Sequence, residues 1–140
     1  MDNSTQEEKT SQQNTPIDAL ILLRDNVLPN LFGEDVDAIL YWAGKEIARQ
    51  FPLKNKEDIH YFFHQYGLGE LHFVRSKNNR NELKLTGSII SARLKNPKAN
   101  FSFEAGILAQ QLELLQDVPT ESSYNIQPKE DIVLFTIKSD

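Results

Sequence analysis

The side chains in this 140-residue chain whose types and spacing could do chemistry begin with His60 and His64. Four positions apart, two imidazoles share one side of a helix and can chelate a metal. The intervening Tyr61-Phe62-Phe63 supplies no glutamate of the metalloprotease kind. Helical spacing sets His60 beside an apolar stripe and His64 toward solvent, so edge and surface histidines are the favoured reading and no metal is assigned. Gly67-Leu68-Gly69 is a lone G-x-G lying between a helix and a strand, the reverse of the dinucleotide-binding order, and reads as a cap and turn. The pairs Glu34-Asp35 and Glu57-Asp58 stand at helix starts, where they offset the helix dipole. The chain has no G-x-S-x-G elbow and no cysteine to act as nucleophile, thiolate ligand or disulfide partner. It reads as a non-enzyme without a cofactor.

Charge is unevenly placed. The net charge is -5, yet the stretch from Arg75 to Lys98 holds seven basic residues against Glu82 alone, leaving the rest of the chain strongly acidic. Such a stretch could meet an anionic polymer or membrane surface, with Phe73 and Phe101 nearby for stacking. Lysines along an outer strand that discourage sheet-to-sheet aggregation account for it as well, and nucleic acid is the disfavoured partner. No window reaches the ~18 apolar residues of a spanning helix. With no cysteine and no signal-like start, the chain reads as soluble and cytoplasmic.

The elements that position these residues are organised around Phe101 to Leu115. Phe101, Ala105, Leu108, Leu112 and Leu115 share one narrow helical stripe, while Phe103, Ile107 and Leu114 share a second on nearly the opposite side. Residues 1–14 are too polar to order and read as a disordered tail; residues 15–140 read as one domain. Thr15-Pro16 reads as the start of a helix running from Ile17 to about Val27, broken by Pro29-Asn30 and Gly33. The apolar residues of that helix cover more than one face, which suggests a wedged or interfacial helix.

An amphipathic helix follows, lined by Val36, Ile39, Leu40, Ala43, Ile47 and Phe51 and ending before Pro52. Gly44 within it points to a close helix or ring contact. Asn55 caps a third helix, Lys56 to Tyr66, closed by Gly67. The period then changes to two, predicting a hairpin of residues 70–77 and 82–86, with residues 87–94 continuing in extended form after a bend at Gly87. Residues 118–127 and 132–138 predict a second hairpin around Pro128-Lys129. The sum is an α+β domain, helices on an antiparallel four- to five-stranded sheet.

Two runs carry a family resemblance. Ala38 to Phe51, with Gly44-Lys45-Glu46-Ile47-Ala48 at its centre, resembles the early helix of 4-vinyl reductase-type domains. FSFEAGILAQQLELL from Phe101, with VPTESSYNI and EDIVLFTI after it, resembles their closing helix-strand-strand unit. The whole chain looks like the YslB family of uncharacterised Firmicute proteins. That superfamily includes TRAPP vesicle-tethering subunits and haem-based nitric oxide sensor domains, so the resemblance implies a helix-covered antiparallel sheet that binds partner subunits or small apolar ligands. Tyr124 and Val133 stand where the reductase-type domains commonly carry paired cysteines, which removes a thiol or metal site at that location.

The expectation is therefore a non-enzymatic protein-interaction module, homodimeric or with a protein partner, that uses exposed apolar helix surface. The alternative is a binder or sensor of a small apolar ligand. Trp42, Phe62, Phe63, Phe103, Ile107 and Leu114 are the candidate pocket or interface residues for either.

Overall fold

Alternating apolar residues build a four-stranded antiparallel sheet in the order β1-β2-β4-β3, where β1 is Glu70–Lys77, β2 Arg80–Thr86, β3 Thr120–Gln127 and β4 Ile132–Ser139. The computed structural model describes residues 17–140; the tail reading of residues 1–14 and the start at Thr15-Pro16 lie outside the described residues. Pairing Leu83 with Phe135 and Leu85 with Val133 puts one face of the two central strands inward. Ile137 and Leu71 extend that face and are buried with them. Each such side chain, fully buried, contributes about 1.5–3 kcal/mol.

All helices that pack on the sheet meet this face. Helix α1 covers residues 17–32, α2 Val36–Gln50, α3 Lys56–Gln65, α4 Ser88–Arg93 and α5 Ser102–Gln116. Helix α5 lies across the sheet with Phe101, Ala105, Leu108 and Leu112 buried, while Ile59, Phe62 and Phe63 bring α3 into the same core. Asn55 caps α3 by accepting the Asp58 N–H at 2.9 Å, and Gly67 follows it at φ 69°, a left-handed position that suits glycine.

Phe103 and Ile107 of the second stripe of α5 are covered from within the chain, while Leu114 stays exposed. Helix α2 crosses the stripe at Gly44 and Gly106, so close that a Cβ built on Gly44 would overlap the Phe103 carbonyl oxygen and stand 2.8 Å from the Ile107 nitrogen. A Cβ on Gly106 would overlap the Tyr41 carbonyl. Glycine is thus required for space at both positions, the close contact read from Gly44 in the sequence.

Two sequence expectations are corrected. Residues 87–94 do not extend the sheet: Gly87 turns the chain at φ 116° and Ser88–Arg93 form α4. A strand would send Ile90 and Arg93 to opposite faces, whereas a helix places residues three apart together, and both are buried. The sheet therefore has four strands. Nor does the first helix end near Val27. It passes through Pro29 by opening into a π-helical turn at Leu23–Val27, where the Leu28 N–H reaches the Leu23 carbonyl. Pro29 has no N–H for the Asp25 carbonyl, and the Asn96 side chain donates to that carbonyl instead, at 3.3 Å.

Candidate functional site

The π-helical turn sets two neighbouring charged residues, Arg24 and Asp25, on the buried side of α1. Across from them are Arg93 of α4 and Glu104 in the first turn of α5. Arg24 donates to both Glu104 oxygens, at 2.9 and 2.7 Å. Arg93 donates from Nη1 to Glu104 at 3.2 Å and from Nη2 and Nε to Asp25 at 2.9 and 3.1 Å. Both guanidiniums also donate to the Asn100 carbonyl, and they lie over rings, Arg24 over Phe103 at 5.1 Å and Arg93 over Phe101 at 4.1 Å.

Burial by itself would favour a neutral Glu104, but the charge and hydrogen bonds of Arg24, then the charge of Arg93, outweigh it and hold the carboxyl below the usual carboxylate range. Desolvation likewise opposes the Arg24 charge and is overcome by Glu104, so its pKa lies above the ordinary arginine value. Two cations and two anions cancel, which is what lets four charges stay out of water.

With its charges turned inward, α1 exposes an apolar outer side. Of its three charged residues, Asp18, Arg24 and Asp25, only Asp18 is exposed. Leu23, Val27 and Leu31 recur every four residues and are exposed, Leu31 to 70%, and Ile17 and Leu22 are exposed as well. Asn26 and Asn30, also exposed, flank this row without charge.

Of the six side chains expected to form a pocket or interface, four meet in the core rather than around an open pocket, and two stand apart on the surface. Phe62, Phe63 and Ile107 are packed in the core, and Phe103 is partly buried against it under the Arg24 guanidinium. Trp42 projects from α2 at 61% exposure and Leu114 is exposed near the end of α5. None of the six lines the three cavities described next.

A cavity of about 450 Å³ opens between α2, α5 and β3, walled by Asp37, Tyr41, Ser102, Glu121, Ser122 and Tyr124 with Ala38, Ala105 and Ser123. The Tyr41 hydroxyl donates to Glu121 and accepts the Ser122 N–H at 3.0 Å, covering the free edge of β3. Burial and the bond to Glu121 push the Tyr41 phenol well above its ordinary value. Partial burial acts against the Glu121 charge, but hydrogen bonds from Tyr41 and Lys45 bring its carboxyl below the usual range.

Smaller cavities lie beside Lys56, His60, Tyr61 and Phe73, about 320 Å³, and beside Leu94, Asn96 and Pro128, about 330 Å³. The histidines are engaged separately. His60 Nδ1 is 2.8 Å from the Leu71 carbonyl and His64 Nδ1 is 2.7 Å from Glu70. In the basic stretch, Arg93 belongs to the buried cluster and Arg75 and Arg80 pair with Glu82, so it is not one free cationic surface. Phe101, considered for stacking, is fully buried.

The family model for a protein of unknown function (DUF2507) matches residues 19–138. Uncharacterized protein YslB of Bacillus subtilis (strain 168) is 42% identical over 120 residues, covering 85% of this chain and 81% of the relative. Among solved structures, a vinyl-4-reductase family protein from Methanocaldococcus jannaschii aligns with a TM-score of 0.56 at 21% identity, over 72% of this chain and 68% of that one. The phenol-responsive sensory domain of the transcription activator PoxR, solved with phenol, aligns with a TM-score of 0.63 at 11% identity, over 88% and 74%. Identities this low show a common fold, the helix-covered sheet expected from the resemblance. The family model and the Bacillus relative go further: the chain belongs to the DUF2507 family, together with YslB.

Proposed function

We propose that the chain is a non-enzymatic interaction module that pairs with a second copy of itself through the outer side of α1. The observation that carries this reading is the division of α1 into a charged side turned inward and an apolar side turned outward. A solvated helix carries its charges on the wet face, as α2 does with Asp37 and Arg49 exposed. In α1 the arrangement is reversed. A row of Leu23, Val27 and Leu31 flanked by asparagines has no like charge to repel a copy of itself across a two-fold axis. Anchorage by four charges holds the row in place before any partner arrives, which lowers the ordering cost of association.

The absence of cysteine allows a direct test. With Leu31→Cys as the chain's only thiol, a short bismaleimide should link two copies, whereas Lys129→Cys, on an exposed turn, should not link. Equal linking at both positions, or none at Leu31, would sink the reading.

The alternative, a binder of a small apolar ligand, draws its support from the fold shared with a phenol-responsive sensory domain. It has less support from the side chains here, since Phe62, Phe63 and Ile107 pack against their neighbours as core.

A further inference from the structure

Independently of α1, the cavity between α2, α5 and β3 has the chemistry of a ligand site. It is a wide-mouthed depression on the surface, about 450 Å³ in volume, against roughly 300–1,000 Å³ for small-molecule pockets. Two carboxylates, Asp37 and Glu121, are among its walls, and the walls include no lysine, arginine or histidine. An anion would therefore be repelled and a cation drawn in.

Asp37 is held in place and still open to a partner. Its Oδ1 accepts from the Asn100 side chain and from the Ser102 hydroxyl at 3.4 Å. Its Oδ2 receives no hydrogen bond, and Asp37 forms no ion pair, among the described residues. Asn100 is itself fixed, because its carbonyl takes both buried guanidiniums. Ser122 also lines the cavity, with its hydroxyl oxygen closed off beneath the surface. Ala38, Ala105 and the rings of Tyr41 and Tyr124 supply apolar wall between these groups.

The rim already displays the recognition in question. The Lys45 ammonium sits 2.9 Å from Glu121 and 4.9 Å from the centre of the Tyr41 ring, a cation held by a carboxylate and an aromatic face. Lys45 satisfies Glu121, which leaves Asp37 as the carboxylate available to a second cation.

We propose that this cavity binds a small organic amine. Its ammonium pairs with Asp37 and its apolar body lies against Ala38, Ala105 and Tyr124.

Amide NMR spectra of the full chain provide the test, with 2-phenylethylamine, tryptamine and spermidine as probes and 3-phenylpropionate as the anionic counterpart. At least one amine should give saturable shifts centred on Ala38, Ala105, Ser122 and Tyr124, and the anion should give none. Asp37→Asn should weaken the amine by about tenfold or more, the loss of one charge-assisted contact. Ala38→Phe, which fills the cavity from an exposed position on α2, should abolish binding with the melting temperature unchanged. If Asp37→Asn disturbs folding through its bonds to Asn100 and Ser102, the Ala38 variant decides. No saturable shift from any of the three amines, shifts centred elsewhere, equal binding of the anion, or full affinity in Ala38→Phe would each overturn the proposal. Because α1 takes no part in the cavity, loss of self-association in an α1 variant leaves this result untouched, and the two readings fail separately.

Discussion

Helix α5 meets α2 through Gly44 and Gly106, backbone against backbone, and meets α1 through a cluster that Arg93 of α4 completes: two arginines, two carboxylates and two phenyl rings. The first contact depends on the absence of side chains and the second on having every one of them. A contact built on shape accepts no added volume, while a contact built on charge accepts no missing partner. The charged contact also has a consequence for the surface: using Arg24 and Asp25 as the inward anchor leaves α1 with leucines and valine outside.

Adding volume to the first contact should have the largest effect. Gly106→Ala or Gly44→Ala pushes a methyl group into opposing backbone rather than into a side chain that can move, so α2 and α5 must separate. A loss of about 3 kcal/mol or more is expected in urea unfolding, and failure to fold is consistent with it. A variant within about 0.5 kcal/mol of the parent would show that the crossing is looser than the structure has it.

Removing a partner from the second contact comes next. Glu104→Ala leaves two buried guanidiniums sharing only Asp25 and the Asn100 carbonyl, at a cost of about 3–5 kcal/mol. The same carboxylate sets an acid limit. Its folded pKa is depressed, so its contribution is fully present above the unfolded value of about 4.3 and is lost as pH falls through the lower folded value. Unfolding midpoints measured from neutral pH downward should therefore drop below about pH 4, and Glu104→Gln should flatten that slope.

A smaller effect is expected at the edge of the sheet. Tyr41→Phe removes the bonds to Glu121 and to the Ser122 N–H, for about 1–2 kcal/mol. Since the folded phenol pKa is raised, its contribution is present below the unfolded value of about 10 and is lost as pH rises through the higher folded value. The alkaline slope of the wild type should be shallower in the variant. The smallest effect belongs to the exposed pair of Arg49 and Glu46 on α2, where Arg49→Ala should change stability by no more than about 0.5 kcal/mol.

What was legible in the sequence follows the same division. Apolar periodicity reports packing, so the α2, α3 and α5 segments and both hairpins could be placed from it, and Gly44 announced a close contact because nothing else favours glycine in mid-helix. Polar burial leaves no such pattern. Charged side chains default to solvent, so Arg24, Asp25 and Glu104 carry no signal of burial and Arg93 reads as one more cation of the basic stretch, although Glu104 stands between the two apolar stripes of α5 and has nowhere wet to point. The π-helical turn was equally hidden, because Pro29 reads as a helix end unless another group, here Asn96, takes up the orphaned carbonyl. Ile89 and Ile90 favour a strand at residues 88–93, whereas the helix that forms there seats Arg93 beside Asp25 and Glu104.

The same reversal of α1 underlies the proposed function, and sedimentation velocity on the full chain tests it most directly. Across micromolar to millimolar concentration the wild type should pass from monomer to dimer, while Leu23→Glu combined with Leu31→Glu should stay monomeric with an unchanged melting temperature. A wild type that is monomeric throughout, or a dimer indifferent to the double substitution, would contradict the account.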